Sequence, residues 1–273
     1  YYDLHNKVLK VLHSKSFIDD PTRIVRGLKF RVRLGFELSE DTKKMQEDCL
    51  GKGTFDTLCG ERIKSELKQT FNLNNPNAFN LFLKEDIYRL LNASIRRELL
   101  PDAQNIAKVI NSNISEIKNR DFIWLIYLCL LLGTLELQEI ARTISKLNIS
   151  SNETRIILDY KDILQNQNIL KNSISRFEIY DFFAKYSHES VIALKVYCKE
   201  PDMDEKINLY FSELQHITIF STGKTLIDLG FMPGPIFSDV LRELFKNKIN
   251  KNISTQNDEI DFLRTLLEKS NLN

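Results

Sequence analysis

Residues 16–36 read SFIDDPTRIVRGLKFRVRLGF, and the interpretation of the whole chain begins with them. An acidic residue followed by proline is a common helix start, because the carboxylate accepts backbone N–H bonds and proline at the first helical position gives up no intrahelical donor. The pattern predicts a helix that begins near Asp20. With about 3.6 residues per turn, one side of this helix is apolar and the other is largely basic. The apolar side has Ile24, Val25, Leu28 and Val32, and the basic side has Arg23, Arg26, Lys29 and Arg33.

Asp20 and Arg23 are three residues apart, so both project from the same side of the first turn. They offer a carboxylate acceptor beside guanidinium donors, which matches a base edge with an amino donor next to a ring-nitrogen acceptor. Cytosine and adenine have such an edge, whereas guanine and uracil place a carbonyl oxygen where the amino group would be. A second interpretation is that Asp20 only caps the helix and that Arg23 only pairs with a carboxylate. The residues themselves leave both interpretations open.

The composition sets the class of protein. The formal net charge of the 273 residues is +1, and 27% charged with 42% hydrophobic residues excludes a mainly disordered chain. Nucleic-acid binding must therefore come from local clusters of Lys and Arg. The widely spaced Cys49, Cys59, Cys129 and Cys198 form no CxxC pair, which predicts reduced thiols in a cytoplasmic protein without a metal site. The most apolar stretch, 122–132, predicts a buried helix, because a membrane helix needs about 20 residues.

The periodicity predicts an all-α fold, in the form of an elongated multi-helix chain. Apolar residues recur at three- and four-residue steps, and alternating strand patterns between Asn-Gly or Asp-Gly turns are absent. Two examples of the helical spacing are Ile87, Leu90, Leu91, Ile95 and Ile260, Leu263, Leu266, Leu267. Asn- and Pro-rich punctuation predicts three parts, over residues 1–73, 74–200 and 201–273.

Three segments resemble motifs of one enzyme family. Residues 16–36 resemble the neck motif of class II tRNA nucleotidyltransferases, which include CCA-adding enzymes and bacterial poly(A) polymerases. Residues 55–67, FDTLCGERIKSEL, resemble a second family motif, and residues 223–235, GKTLIDLGFMPGP, resemble its tail motif. The three segments follow the family's order. The resemblance implies a base-reading neck over 1–73, a helical body over 74–200 and a helical, RNA-binding tail over 201–273.

The resemblance also implies roles for single residues. In the family, the neck Asp and Arg act as a protein template that reads CTP or ATP. The candidates for base recognition are Asp19, Asp20, Arg23 and Arg26, and the candidates for neck support are Glu61 and Arg62. The candidate RNA contacts in the tail are Lys224, Gly234, Lys246 and Lys248. For the lysines the alternative is a solvated basic face, and for the turn at Gly234 it is a rigid helix start.

The family's catalytic head domain holds Mg²⁺ on carboxylates, and the resemblance implies that it would precede residue 1. Asp19 and Asp20 are no substitute for this metal site, because a helix start lacks the strand-borne carboxylate geometry. We therefore expect no catalytic residue and no metal in this chain. Its expected function is nucleotide selection and RNA binding for an enzyme that adds CCA, or A, to the tRNA 3′ end. The expected partners are the tRNA acceptor arm, CTP or ATP, and the head. A non-catalytic RNA-binding module, a protein-interaction scaffold and a poly(A) polymerase remain alternatives.

Overall fold

The computed structural model of the protein describes residues 2–53, 60–171 and 174–270, whose regular elements are helices and one short strand pair. The chain forms two compact units. The first comprises Tyr1–Gln167 with Tyr186–Lys199, and the second comprises Asn168–Lys185 with Glu200–Asn273. The all-α fold class predicted from the periodicity is confirmed. The three-part division at residues 73 and 200 stays a prediction. Within the described ranges, no helix has the length and apolar character that a membrane crossing requires.

The helices follow one another with short connections. The first ten are α1 (Tyr2–His5), α2 (Ser16–Asp19), α3 (Thr22–Leu34), α4 (Glu40–Lys52), α5 (Gly60–Phe71), α6 (Pro76–Lys84), α7 (Ala103–Ser112), α8 (Ile123–Gly133), α9 (Leu137–Lys146) and α10 (Ser151–Asn166). They are followed by α11 (Arg176–Phe183), α12 (His188–Tyr197), α13 (Pro201–Ser212), α14 (Gly223–Asp228), α15 (Ile236–Ile249) and α16 (Gln256–Ser270). Short 3-10 helices cover Ile87–Leu90, Arg97–Leu99, Arg120–Phe122, Gln167–Lys171 and Leu214–His216. Strands β1 (Val8–Leu9) and β2 (Glu37–Leu38) pair in parallel, with Val8 opposite Glu37.

Helix α3 begins at Thr22, two residues after the start predicted at Asp20. It ends at Leu34, because Gly35 adopts a left-handed conformation with φ of 67° and its N–H donates to the Arg31 carbonyl oxygen at 2.8 Å. The predicted apolar side is confirmed for Ile24, Val25 and Leu28, which are all buried. This side of α3 packs against α5 and α6, so residues 22–34 are part of the core of the first unit.

Helix α8 forms the centre of the first unit and packs against α5, α10 and α12. Every residue from Ile123 to Leu132 is buried, which confirms the interpretation of this apolar stretch as a buried helix. The Tyr127 ring stacks on Phe71 of α5 with ring centroids 5.1 Å apart, and Phe79 and Phe82 of α6 complete the aromatic cluster. Helix α5, which also contacts α3, thus has a well-packed apolar side.

The prediction of a regular α-helix from Ile87 to Ile95 is wrong. A 3-10 helix covers Ile87–Leu90, and turns follow it. The side-chain oxygen of Asn92 accepts a hydrogen bond from the Ser94 N–H at 2.8 Å, and such local bonds compete with the helical ladder. The apolar residues at these positions are nevertheless buried.

The second unit has its own core on α14, α15 and α16. The buried residues of this core are Leu226, Phe231, Val240, Leu244, Ile253 and Leu263. The helix predicted from the spacing of Ile260 and Leu263 is confirmed as α16, and the turn at Gly234 precedes α15. The fully buried carboxylate of Glu259 accepts hydrogen bonds from the backbone N–H groups of Phe220 and Ser221.

Candidate functional site

The Asp20 carboxylate lies at the start of α3 and is only 7% exposed. Its Oδ1 accepts hydrogen bonds from the Thr22 backbone N–H at 3.2 Å and from the Thr22 hydroxyl at 2.5 Å. Its Oδ2 accepts one from Arg62 Nη2 at 2.6 Å, and Arg23 Nε lies 3.6 Å from the same oxygen. An ionised carboxylate has about four acceptor positions. Three of them are therefore occupied, and the remaining one is on Oδ2, the oxygen nearest Arg23.

The protonation state of Asp20 follows from these neighbours. Burial raises the pKa of its carboxyl, but the hydrogen bonds from Thr22 and the charge and hydrogen bond of Arg62 outweigh burial, so this pKa lies below its ordinary value. Asp20 is thus ionised near neutral pH and can only accept hydrogen bonds.

Helix α2 positions the Arg23 guanidinium. Arg23 Nη1 donates to the Ser16 carbonyl oxygen at 3.1 Å and to the Ser16 hydroxyl at 2.8 Å, while the side chain keeps 40% exposure. These bonds involve one nitrogen of a group that carries five N–H donors. The structure therefore brings an acceptor on Asp20 and donors on Arg23 together, as the spacing of three residues predicted. It also supports the alternative in part, because Asp20 receives the first N–H of α3 and forms an ion pair with Arg23.

A cavity of about 530 Å³ lies beside Arg23 in the first unit. Arg23 and Arg26 line it together with the apolar side chains of Leu9, Ile24 and Phe30. Of the four residues predicted to recognise the base, these two arginines line the cavity. The carboxylates of Asp19 and Asp20 do not.

Asp19 and Arg26 have partners of their own. The Asp19 side chain is 55% exposed, and its Oδ2 lies 3.9 Å from His13 Nε2. Arg26 Nε and Nη2 each lie 2.7 Å from Glu66 Oε1 on α5. Arg26 therefore ties α3 to α5 while part of its side chain lines the cavity.

Two cationic side chains of α3, Lys29 and Arg31, are buried, whereas the prediction had one packed side and a separate basic side. Lys29 was predicted to lie on the basic side, opposite the packed one, but its ammonium donates to Glu66 Oε2 and Gln69 Oε1, both at 2.8 Å, in the interface with α5. Arg31, which was not singled out in the sequence, forms a two-pronged pair with Glu85 at 2.8 and 2.9 Å. The prediction for Lys29 is wrong because a buried carboxylate compensates its charge, and this partner lies far away in the sequence.

Glu61 and Arg62, the predicted neck-support residues, bind different partners. Glu61 Oε1 accepts a hydrogen bond from the Asn148 side-chain amide at 2.5 Å, and Arg62 binds Asp20. Gly60 directly precedes them in the sequence, and a Cβ at this position would lie 1.7 Å from the Lys146 carbonyl oxygen. The start of α5 thus touches both Asp20 and the end of α9. Residues 55–59 of the same sequence motif lie outside the described residues.

The tail candidates separate into two groups. Lys224 and Gly234 are exposed, and Lys246 is 48% exposed with Glu243 at 4.0 Å. Lys248 is different, because its side chain is 11% exposed, pairs with the buried Glu259 and lies 4.0 Å above the Phe220 ring. We therefore remove Lys248 from the candidate RNA contacts, since its ammonium neutralises a buried carboxylate.

Among residues 2–53, 60–171 and 174–270, no group of three or more His, Cys, Asp or Glu side chains could hold a metal ion. The described residues thus do not fit the Mg²⁺ that the resemblance implies.

Comparison with known proteins gives relatives that match nearly the whole chain. The A-adding tRNA nucleotidyltransferase of Geobacter sulfurreducens is 24% identical over 278 residues, which are 95% of this chain and 31% of the relative. The enzyme of the same name from Halalkalibacterium halodurans is 25% identical over 271 residues, 96% of this chain and 60% of the relative. The chain thus spans between about a third and three fifths of the length of these curated relatives. No family model matches the chain.

Solved structures share the fold. A Thermotoga maritima CCA-adding enzyme complexed with tRNA matches with a TM-score of 0.80 and 20% identity, over 98% of this chain and 66% of that one. A CCA-adding enzyme in complex with CTP matches with the same TM-score and identity, over 98% of this chain and 64% of that one. The relatives in sequence and the shared fold agree with the three motifs, and these findings are consistent with a member of the class II tRNA nucleotidyltransferase family.

Proposed function

We propose that the protein containing this chain adds nucleotides to the 3′ end of tRNA, and that this chain selects the nucleotide and binds the RNA. The observation that carries the proposal is the pair of Asp20 and Arg23. Asp20 Oδ2 keeps one acceptor position, and Arg23 Nε lies 3.6 Å from this oxygen on a guanidinium held by Ser16. This pair supplies one acceptor and one donor side by side.

The pair favours bases with an amino group. The amino group of adenine or cytosine donates to Asp20 Oδ2, and the neighbouring ring nitrogen accepts from the Arg23 guanidinium. Uracil and guanine present the reverse pattern, so a carbonyl oxygen faces the carboxylate and a ring N–H faces the guanidinium. Both contacts are then repulsive. The partial helix-cap role of Asp20 is compatible with this reading, because the Thr22 bonds use Oδ1 and the base uses Oδ2.

Addition of A to tRNA is the reaction we favour among those of the family. The relatives that match 91 to 96% of this chain are called A-adding tRNA nucleotidyltransferases. The multifunctional CCA protein of Neisseria gonorrhoeae, in contrast, matches 26% of it. We further propose that a separate head domain carries the Mg²⁺ and the catalytic carboxylates, and that the exposed Lys224 and Lys246 contact the tRNA.

The test uses the full-length protein with transcripts of one tRNA that end before CCA, after the first C or after CC. We expect incorporation of labelled ATP on the CC-ending transcript and no incorporation of CTP on any of them. Incorporation of CTP would indicate a CCA-adding enzyme and contradict A addition alone. Tails of many A residues would indicate a poly(A) polymerase. Binding of tRNA without incorporation of either nucleotide would contradict the enzyme and favour a non-catalytic RNA-binding module.

A further inference from the structure

Arg62 makes a contact with Asp20 that neck support does not require. We propose that Arg62 is a positioning residue for base selection, because its guanidinium determines which acceptor of Asp20 stays open and keeps that carboxylate ionised. This inference rests on the proposed role of Asp20 and Arg23 in reading the base. It adds a specificity-determining residue that never touches the base.

Arg62 approaches the Asp20 carboxylate from one defined direction. Arg62 Nη2 donates to Asp20 Oδ2 at 2.6 Å, while Thr22 occupies both acceptor positions of Oδ1. Arg62 belongs to the first turn of α5, whose start lies close to the Lys146 backbone at Gly60 and is bonded to Asn148 through Glu61. The guanidinium therefore reaches Asp20 from an anchored helix end and leaves the second acceptor of Oδ2 on the side of Arg23.

Ionisation matters because it decides which bases Asp20 excludes. A protonated carboxyl carries an O–H donor, and such a donor can bind the carbonyl oxygen of uracil or guanine. Discrimination against UTP and GTP therefore requires that the protonated, neutral form of the Asp20 carboxyl is a small fraction of the population. That fraction falls about tenfold for each pH unit above the pKa of the group.

The charged groups around Asp20 indicate which residue controls this balance. Arg23 of the same helix and Arg62 of α5 face the carboxylate, and the neighbouring Asp19 pairs with His13 instead. Burial raises the pKa of Asp20, and the Thr22 hydrogen bonds and the Arg62 charge lower it below its ordinary value. Arg23 Nε is 3.6 Å from Oδ2, whereas Arg62 Nη2 is 2.6 Å from it, so Arg62 is the stronger cationic partner.

The experiment measures the ratio of kcat/KM for UTP to that for ATP between about pH 6 and pH 8.5 with the full-length enzyme. Arg62→Gln removes the charge and raises the pKa of Asp20. Because a close opposite charge lowers a carboxyl pKa by roughly 1–3 units, the UTP-to-ATP ratio of this variant should exceed that of wild type by about tenfold or more near pH 6, and it should decrease as the pH increases. Arg62→Lys keeps the charge and should stay near wild type. Arg97→Gln is the matched control, because Arg97 has similar exposure and its own carboxylate partner, Asp86.

Two further variants separate the possible failures. Asp20→Asn cannot titrate, so its UTP-to-ATP ratio should be raised and independent of pH. If this variant keeps the wild-type ratio, the proposed base reading itself fails. If it relaxes selection while Arg62→Gln behaves like wild type at every pH, only the role of Arg62 is overturned. Should Arg62→Gln not fold, Thr22→Val removes the hydroxyl donor from Oδ1 and should shift the ratio in the same direction, and an unchanged ratio would contradict the inference.

Discussion

At the scale of residues, several buried charges of the first unit pair with groups from distant segments. Glu66 on α5 accepts hydrogen bonds from Lys29 and Arg26 on α3, and its carboxyl is buried with Lys29. Burial raises the pKa of Glu66, but Lys29 and Arg26 outweigh burial and hold it below the ordinary value of 4.5. Removing one partner of such a pair leaves the other charge buried without compensation.

Glu66→Gln should therefore lower the free energy of unfolding by about 3 kcal/mol at neutral pH. The folded-state pKa is the depressed one, so this contribution is present above the unfolded pKa, near 4.5, and is lost as the pH falls through the folded value. The difference between variant and wild type should accordingly narrow below about pH 4.5. Urea unfolding at several pH values measures this difference in the free energy of unfolding. Glu98→Gln is the control, because the Glu98 side chain is exposed. A difference that does not change with pH would contradict the assignment.

The two lysines of α15 give a second contrast at this scale. Lys248→Met removes the cation that pairs with the fully buried Glu259 and should destabilise the protein by about 3–5 kcal/mol. Lys246→Met removes a half-exposed cation and should change stability by less than about 0.5 kcal/mol. Thermal melting of both variants measures the contrast. Equal melting temperatures would show that Lys248 does not compensate the buried carboxylate.

At the scale of elements, the close approach of α5 to the end of α9 depends on Gly60. A Cβ at this position would lie 1.7 Å from the Lys146 carbonyl oxygen, so Gly60→Ala forces one of the two backbones to move. We expect a loss of about 1–3 kcal/mol in stability. Gly51 near the end of α4 is the control, because a Cβ there meets nothing within 4 Å and alanine should stabilise the helix by about 0.5–1 kcal/mol. Denaturant unfolding of the two variants should give shifts of opposite sign.

The elements were largely predictable from the sequence, and their charged contacts were not. The apolar spacing of Ile24, Val25 and Leu28 identifies the buried side of α3, because helical periodicity is a local property. The same spacing places Lys29 on the basic side, yet Lys29 is buried, because it pairs with Glu66, which is 37 residues away in the sequence. Local patterns carry no information about a pairing at that distance.

The candidate site shows the same limit. Asp20 and Arg23 are neighbours in the structure because residues three apart share one side of a helix, and this contact could be predicted. The bond from Arg62 to Asp20 joins residues 42 positions apart and could not. The burial of Lys248 was equally hidden, since its carboxylate partner lies on the next helix, α16. For the contact between Arg62 and Asp20, the sequence offered one signal. Arg62 lies in the second family motif, residues 55–67, and Asp20 lies in the neck motif, residues 16–36.

At the scale of the whole molecule, a net charge of +1 means that RNA binding depends on local phosphate contacts. Affinity of the protein for tRNA should fall steeply as the salt concentration rises, because each contact releases counterions. Lys224→Ala and Lys246→Ala should each reduce the slope of log affinity against log salt by about one. Filter binding over a salt series measures these slopes. Affinity that does not respond to salt, or that is equal for an unrelated polyanion, would contradict specific binding of tRNA.

The proposal that this chain selects the nucleotide, while a separate head domain carries out catalysis, gives another prediction. We expect the 273-residue chain by itself to incorporate neither labelled ATP nor labelled CTP into tRNA, because its proposed role is selection and binding. The full-length protein and a heat-inactivated sample serve as controls. Incorporation above the heat-inactivated level would place the catalytic carboxylates in this chain.

The central claim is that Asp20 and Arg23 read the base, and it is tested most directly by the kcat/KM of the full-length enzyme for each of the four nucleotides. Asp20→Asn keeps the capping ability, since Asn caps a helix about as well as Asp, and replaces a pure acceptor by an amide that can also donate. Arg23→Ala removes the donors. The account predicts that selection for A or C over U and G relaxes by about 1–3 kcal/mol in both variants, with little change in melting temperature. Unchanged nucleotide ratios with a lowered melting temperature would contradict it and leave both residues as structural ones.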